Sequence, residues 1–341
     1  MEMLIHDFEL PLVHPFGIFR GTTYVAKTMI VELRQNGLAG YGEATENDYY
    51  GYTIESMRAA LEEVRQEIEA TELNDPIEFW EQMHPALSKK PFVQCALDNA
   101  AHDLWGKLQG QPVWKLWGLS LDKCPLTDYT IGIDEIDVMV KKMREFEGWP
   151  IFKVKLGTKH DIDIVRALRE HTDAVFRVDA NCGWTADEAI RNSEPLAELG
   201  VEFIEQPLQP DDWEGMRRVY RESVLPVVAD ESCQIPPDVD RCNGYFHGVN
   251  VKLCKCGGLT PGRRMLLRAH ELGLKTMVGC MSESTVAMSA IAQLLPMLDY
   301  VDMDGALLLA KDTASGVSIE RGKVHFPEEN GLGIRLYPEP R

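Results

Sequence analysis

Three acidic residues recur in step along the second half of the chain: Asp179, Glu205 and Asp230, spaced 26 and 25 residues apart, each closing a short apolar run. Three carboxylates brought to one point repel unless a cation sits between them, and hard oxygen donors without His or Cys select Mg2+ over zinc or copper. Lysines bracket the set, Lys155 standing 24 residues before Asp179 and Lys252 standing 22 after Asp230. If the acids meet, these amines face one another across them, an arrangement suited to proton transfer on opposite faces of one carbon. Lys153, two residues before Lys155, points the same way along a strand, so side-by-side cations should push at least one pKa down, and a neutral amine can act as a base. Lys255 rivals Lys252 but follows the end of the apolar Val249–Val251 run. Strand alternation lets only one of Asp230 and Glu231 face inward, and the spacing selects Asp230. Asp302-x-Asp304 puts two carboxylates on one side, where they suit a substrate ammonium.

The elements that must position these groups can be counted. Thr130, Lys155, Asp179, Glu205, Asp230, Lys252, Gly279 and Asp302 each end a short apolar run, at steps of 22 to 27 residues. A step of that size is one strand, one loop and one helix, the βα unit of a parallel sheet, and eight of them favour a closed (β/α) barrel over an open doubly wound sheet. Strand carboxyl ends then converge on one face. No glycine-rich phosphate motif opens any of the helices. Residues 1–120 read instead as an α+β capping domain, with strands over 4–12, 26–33 and 37–43 and helical spacing over 54–69 and 91–116. The barrel is expected over 121–310, and the Gly- and Pro-rich 311–341 is expected to pack back on the capping domain. Asn47-Asp-Tyr-Tyr-Gly-Tyr52 has the content of a mobile lid, with Tyr50 and Tyr52 expected to be shielded by ligand.

With 35 basic and 54 acidic residues the formal charge is −19, which argues against nucleic-acid or anionic-membrane partners. No apolar stretch reaches membrane-spanning length, and acids precede any apolar run at the start. The eight cysteines form no Cys-x-x-Cys pair; they read as packing residues in a reducing, cytoplasmic protein. Homo-oligomerisation is left open.

Lys153-Val-Lys155, Asp179-Ala-Asn181, Glu205-Gln206-Pro207, Asp230-Glu231-Ser232 and Lys252-Leu-Cys-Lys255-Cys-Gly257-Gly258 resemble the muconate-lactonizing subgroup of the enolase superfamily. With Gly279-Cys280-Met281 and Asp302-Met-Asp304, the chain is most similar to the dipeptide epimerases, typified by L-Ala-D/L-Glu epimerase. The resemblance runs from about Pro11 to Gly305. It implies a modified (β/α)7β barrel under a cap, and a Mg2+-dependent 1,1-proton transfer at the α-carbon of the C-terminal residue of an L-Ala-L-Xaa dipeptide. It implies Lys155 and Lys252 as the acid/base pair and Asp179, Glu205 and Asp230 as Mg2+ ligands. By the same resemblance Lys153 touches the substrate carboxylate, Asp302 and Asp304 bind the α-ammonium, and Thr130, Cys280 and Ser282 line the site. An arginine of the capping hairpin faces an acidic side chain in this family; Arg20 is the candidate, which favours Glu at the epimerised position. Some members carry it one position later, where this chain has Gly21. The competing expectations are a sister enzyme (N-acylamino-acid racemase, o-succinylbenzoate synthase or cycloisomerase), which would have no use for Asp302-x-Asp304, and a dipeptide-binding protein without chemistry.

Overall fold

The computed structural model describes residues 1–341. The chain opens with a three-stranded antiparallel sheet, β1 (Glu2–Ile18), β2 (Gly21–Gln35) and β3 (Leu38–Thr45). The hairpin strands run past the expected ends because β1 and β2 stay paired up to Ile18 and Gly21, with one irregularity between Pro11 and Phe16, where proline withholds donors from the ladder. Three helices follow, α1 (Ile54–Ala70), α2 (Pro76–Leu87) and α3 (Pro91–Leu108). α3 is buried almost all round, because it lies between the sheet and the second domain. It approaches β3 closely enough that a Cβ on Gly42 would stand 2.1 Å from the Ala96 carbonyl oxygen, so only glycine fits there.

Eight parallel strands then alternate with helices: β4 (Tyr129–Ile131), β5 (Ile151–Lys155), β6 (Val175–Asp179), β7 (Val201–Glu205), β8 (Val227–Ala229), β9 (Gly248–Lys252), β10 (Lys275–Gly279) and β11 (Tyr300–Asp302). They pair in chain order, and a bridge between Thr127 and Val301, with Met303 N donating to Thr127 Oγ1 at 2.9 Å, brings the last strand back to the first. After β11 the chain makes a single 3-10 turn, Gly305–Leu308, so the barrel has seven βα units and a final strand. Most strands are buried along nearly their whole length, as a parallel sheet covered on both faces requires.

Register carries the functional consequence. Lys155 pairs level with Asp179, and Asp179 with Glu205; on the far side Lys252 is level with Gly279, and Gly279 with Asp302. The polar residues therefore form one ring at the carboxyl ends.

The two units are joined by buried carboxylates. Asp98 of α3 accepts from Thr260 N and Oγ1 at 2.7 and 2.8 Å, and Glu43 of β3 accepts from Ser284 N, Ser284 Oγ and Ala287 N, the open first turn of the helix Thr285–Ala292. In the C-terminal segment Leu332 N donates to Asp103 of α3 at 2.7 Å, and Gly322 O accepts from Thr127 N of the barrel. No helix is long and apolar enough to cross a membrane.

Candidate active site

A cavity of about 590 Å3 opens between the carboxyl ends of the barrel strands and the hairpin of the cap. Of the residues singled out from the sequence, Arg20, Thr130, Lys155, Asp230, Lys252, Cys280, Ser282, Asp302 and Asp304 line it. Asp179, Glu205 and Lys153 lie behind that lining, fully buried.

The carboxylate oxygens of Asp179, Glu205 and Asp230 lie within 4.8 Å of one another. Asp179 is at the end of β6, Glu205 at the end of β7, and Asp230 one residue past β8. Because β8 stops at Ala229, strand alternation does not govern the next two residues, and Asp230 and Glu231 both reach the cavity. The exclusion of Glu231 on grounds of alternation is thereby corrected.

Lys155 Nζ bonds Asp179 Oδ2 at 2.7 Å, and Lys252 Nζ lies 3.1 Å from Asp230 Oδ2. These lysines stand on the second and sixth of eight strands, hence on opposite walls. Lys255 is not a rival to Lys252: it is buried beneath, donating to the Asp230 backbone oxygen at 2.6 Å and to Asp230 Oδ1. Lys153 Nζ is buried between Asp302 Oδ2 at 2.7 Å and Glu205 Oε2 at 2.8 Å. The expectation that one of the paired lysines would have a lowered pKa fails for Lys153. Although burial opposes its charge, Asp302, Glu205 and Asp179 outweigh burial and hold it well above the usual range. Lys252 is likewise raised, Asp230 overcoming the cost of burial.

The donor set fits a divalent cation on two grounds. Glu205 Oε2 and Asn181 Oδ1 are buried without a hydrogen-bond donor, the Lys153–Glu205 contact being close but misaligned. Burial, reinforced by Asp179 and Asp230, pushes the Glu205 carboxyl up to about 7 against the pull of Lys153, the response of a carboxylate short of positive charge.

Opposite the triad, Asp304 accepts from Thr130 N at 2.6 Å and lies beside Cys280 and Asp302. Burial and the Asp302 charge push Asp304 up to about 7, whereas Lys153 and Lys155 hold Asp302 well below the usual carboxylate range despite its burial. A cation placed here would relieve Asp304. Ser282 lies in the loop after β10, which Glu283 and Ser284 anchor.

Three supporting residues were given no role from the sequence, although Asn181 and Gln206 stand in the motifs quoted above. Asn250 Nδ2 donates to Glu205 Oε1 at 2.8 Å, Asn181 N to Asp179 Oδ1 at 2.9 Å, and Gln206 Oε1 accepts from Asp230 N and Ser232 N. Asn181 and Gln206 have positive φ (44° and 33°), conformations costly for non-glycine residues. Asn250 carries a legible signal, since it stands two residues before Lys252 and so faces the same side of β9. Of the suggested lid, Tyr50 lines the cavity, but Tyr52 stacks on Phe92 with ring centroids 4.3 Å apart, outside the lining.

Residues 1–118 match the mandelate racemase / muconate lactonizing enzyme N-terminal domain, and residues 135–340 the enolase C-terminal domain-like family. An L-Ala-D/L-amino acid epimerase of Flavobacterium johnsoniae is 54% identical over 336 residues, 98% of this chain and 100% of its own. An L-Ala-D/L-Glu epimerase of Bacteroides thetaiotaomicron is 38% identical over 98% of this chain and 88% of its own. Among solved structures, the substrate-liganded L-Ala-D/L-Glu epimerase from Bacillus subtilis matches with a TM-score of 0.93 at 26% identity, covering 98% of each chain. The Enterococcus faecalis V583 dipeptide epimerase complexed with Mg and L-Leu-L-Tyr matches at 0.90 and 31% identity, covering 98% of each.

Proposed function

The chain belongs to the mandelate racemase / muconate lactonizing enzyme family of the enolase superfamily and is a magnesium-dependent dipeptide epimerase, in which we propose that Lys155 and Lys252 are the two acid/base groups. The observation that carries the assignment is their placement on opposite walls of one cavity, each tethered to a carboxylate of the same triad.

Asp179, Glu205 and Asp230 would hold the Mg2+. When bound, the ion supplies positive charge opposite the negative charge that grows on a substrate carboxylate as its α-proton leaves. Everything else falls to the protein. Asp302 and Asp304 hold the ammonium of the first residue, L-Ala in several relatives, on the wall formed by β10, β11 and β4. The C-terminal carboxylate then points to the wall formed by β6, β7 and β8, and its α-carbon sits between the lysines. One amine takes the α-proton as the C–H bond breaks; the opposite ammonium gives a proton to the other face as the new C–H bond forms. Whichever lysine is the base in one direction is the acid in the reverse direction, because each faces one side of the same carbon. Positioned acid/base groups of this kind contribute roughly 10²- to 10⁴-fold each.

A panel of L-Ala-L-Xaa dipeptides incubated with enzyme and Mg2+ in deuterated water tests the reading by mass. One deuterium should enter the C-terminal residue alone, with epimerisation. A panel that takes up no solvent deuterium overturns it.

A further inference from the structure

Arg20 sits at the tip of the capping hairpin between β1 and β2 and reaches over the barrel mouth. It already has partners. Its Nη2 bonds Glu231 Oε1 at 2.8 Å, its Nη1 donates to the Asn181 carbonyl at 3.2 Å, and its guanidinium stacks 4.1 Å from the Tyr49 ring centroid. The Glu231 side chain is only 1% exposed, and its Oε2 has no partner. Arg20, Glu231 and Tyr49 all line the cavity above the carboxylate triad. With ammonium and carboxylate held as above, this is where the side chain of the epimerised residue projects. An approaching carboxylate meets a guanidinium already matched by one negative charge, with a second carboxylate oxygen behind it. A neutral side chain meets a charge-balanced pair and the face of an aromatic ring.

We propose that Glu231 masks Arg20 and makes the side-chain subsite electrically neutral, so that the enzyme accepts dipeptides with neutral C-terminal side chains as readily as acidic ones. This rests on the dipeptide epimerase reading and deepens it. The L-Ala-L-Glu expected from Arg20 alone remains a substrate but loses its privilege.

Glu and Gln side chains differ in charge and scarcely in shape, so the ratio of kcat/KM for L-Ala-L-Glu to that for L-Ala-L-Gln reads the subsite charge and cancels any general loss of activity. Wild-type enzyme should give a ratio within roughly threefold of one. Glu231→Gln, which frees Arg20, should raise the ratio by about tenfold or more; Arg20→Leu, which leaves Glu231 unpaired, should lower it by about as much. The double variant, neutral again, should return to the wild-type ratio. If Glu231→Gln is too poorly folded to assay, the Arg20→Leu arm still decides, because an unmasked arginine and a masked one predict different starting ratios. A wild-type preference for Glu above about tenfold, or ratios in the single variants within about twofold of wild type, overturns the inference. Deuterium exchange with an unmoved ratio overturns this inference alone, whereas absence of exchange with every dipeptide brings down the epimerase assignment with it.

Discussion

The loop after β10 is held by a buried acidic pair whose energetics can be worked out. Glu283 accepts from Met281 N at 2.9 Å and is 5% exposed; the fully buried Glu43 of the cap lies close by. Burial first, then the charge of Glu43, pushes the Glu283 carboxyl from an ordinary 4.5 up to about 7. Between those values the folded chain keeps a proton that the unfolded chain has released. Its contribution to stability is therefore fully present below about pH 4.5 and is lost as pH rises through about 7. The gap, in which the opposing pull of Lys252 nearby is already counted, corresponds to about 3 kcal/mol at pH 8. Glu283→Gln keeps the acceptor for Met281 N and is neutral at every pH. Urea unfolding should show the variant more stable than wild type by about 3 kcal/mol at pH 8 and equal to it near pH 4. A gain of the same size at both pH values, or a loss at pH 8, would refute the reasoning, because only a titrating charge changes with pH.

Further outcomes follow from the same geometry. Replacing Asp302 and Asp304 together by Asn removes the counter-charge for a substrate ammonium, so KM for dipeptides should rise by about 10²-fold or more; unchanged kinetics would favour an N-acylated or purely acidic substrate instead. Mg2+ should raise the unfolding temperature of chelator-treated protein, since it would relieve the crowded carboxylates in the folded state only, and Asp179→Asn should abolish that rise; a melting curve indifferent to Mg2+ would remove the metal assignment. Gly42→Ala forces a methyl against the Ala96 carbonyl and should destabilise the cap by about 1–3 kcal/mol in denaturant titration.

The barrel was legible because it repeats: each βα unit costs a similar length of chain, so the polar residue closing each strand recurs at a near-constant step. The same periodicity placed Lys155, Asp179, Glu205, Lys252 and Asp302 on strand ends. Where a strand stops is less visible, and Glu231 was excluded by an alternation that ends at Ala229. Proximity alone misled for Lys153, because its neighbours across the barrel, Asp302 and Glu205, are 149 and 52 residues away and outweigh the lysine beside it. Glu43 and Asp98 gave no sign of joining the domains, since their partners Ser284 and Thr260 lie 241 and 162 residues further on. Tyr52 had the composition of a lid residue and instead stacks on Phe92.

Solvent exchange in single-lysine variants tests the two-amine arrangement most directly. Lys155→Ala and Lys252→Ala, each incubated with either epimer of one dipeptide in deuterated water, should both lose epimerisation. Each should still exchange the α-proton of one epimer only, and the two variants should choose opposite epimers. Both variants exchanging the same epimer, or either one retaining normal turnover, would contradict the placement of one acid/base group on each face of the carbon.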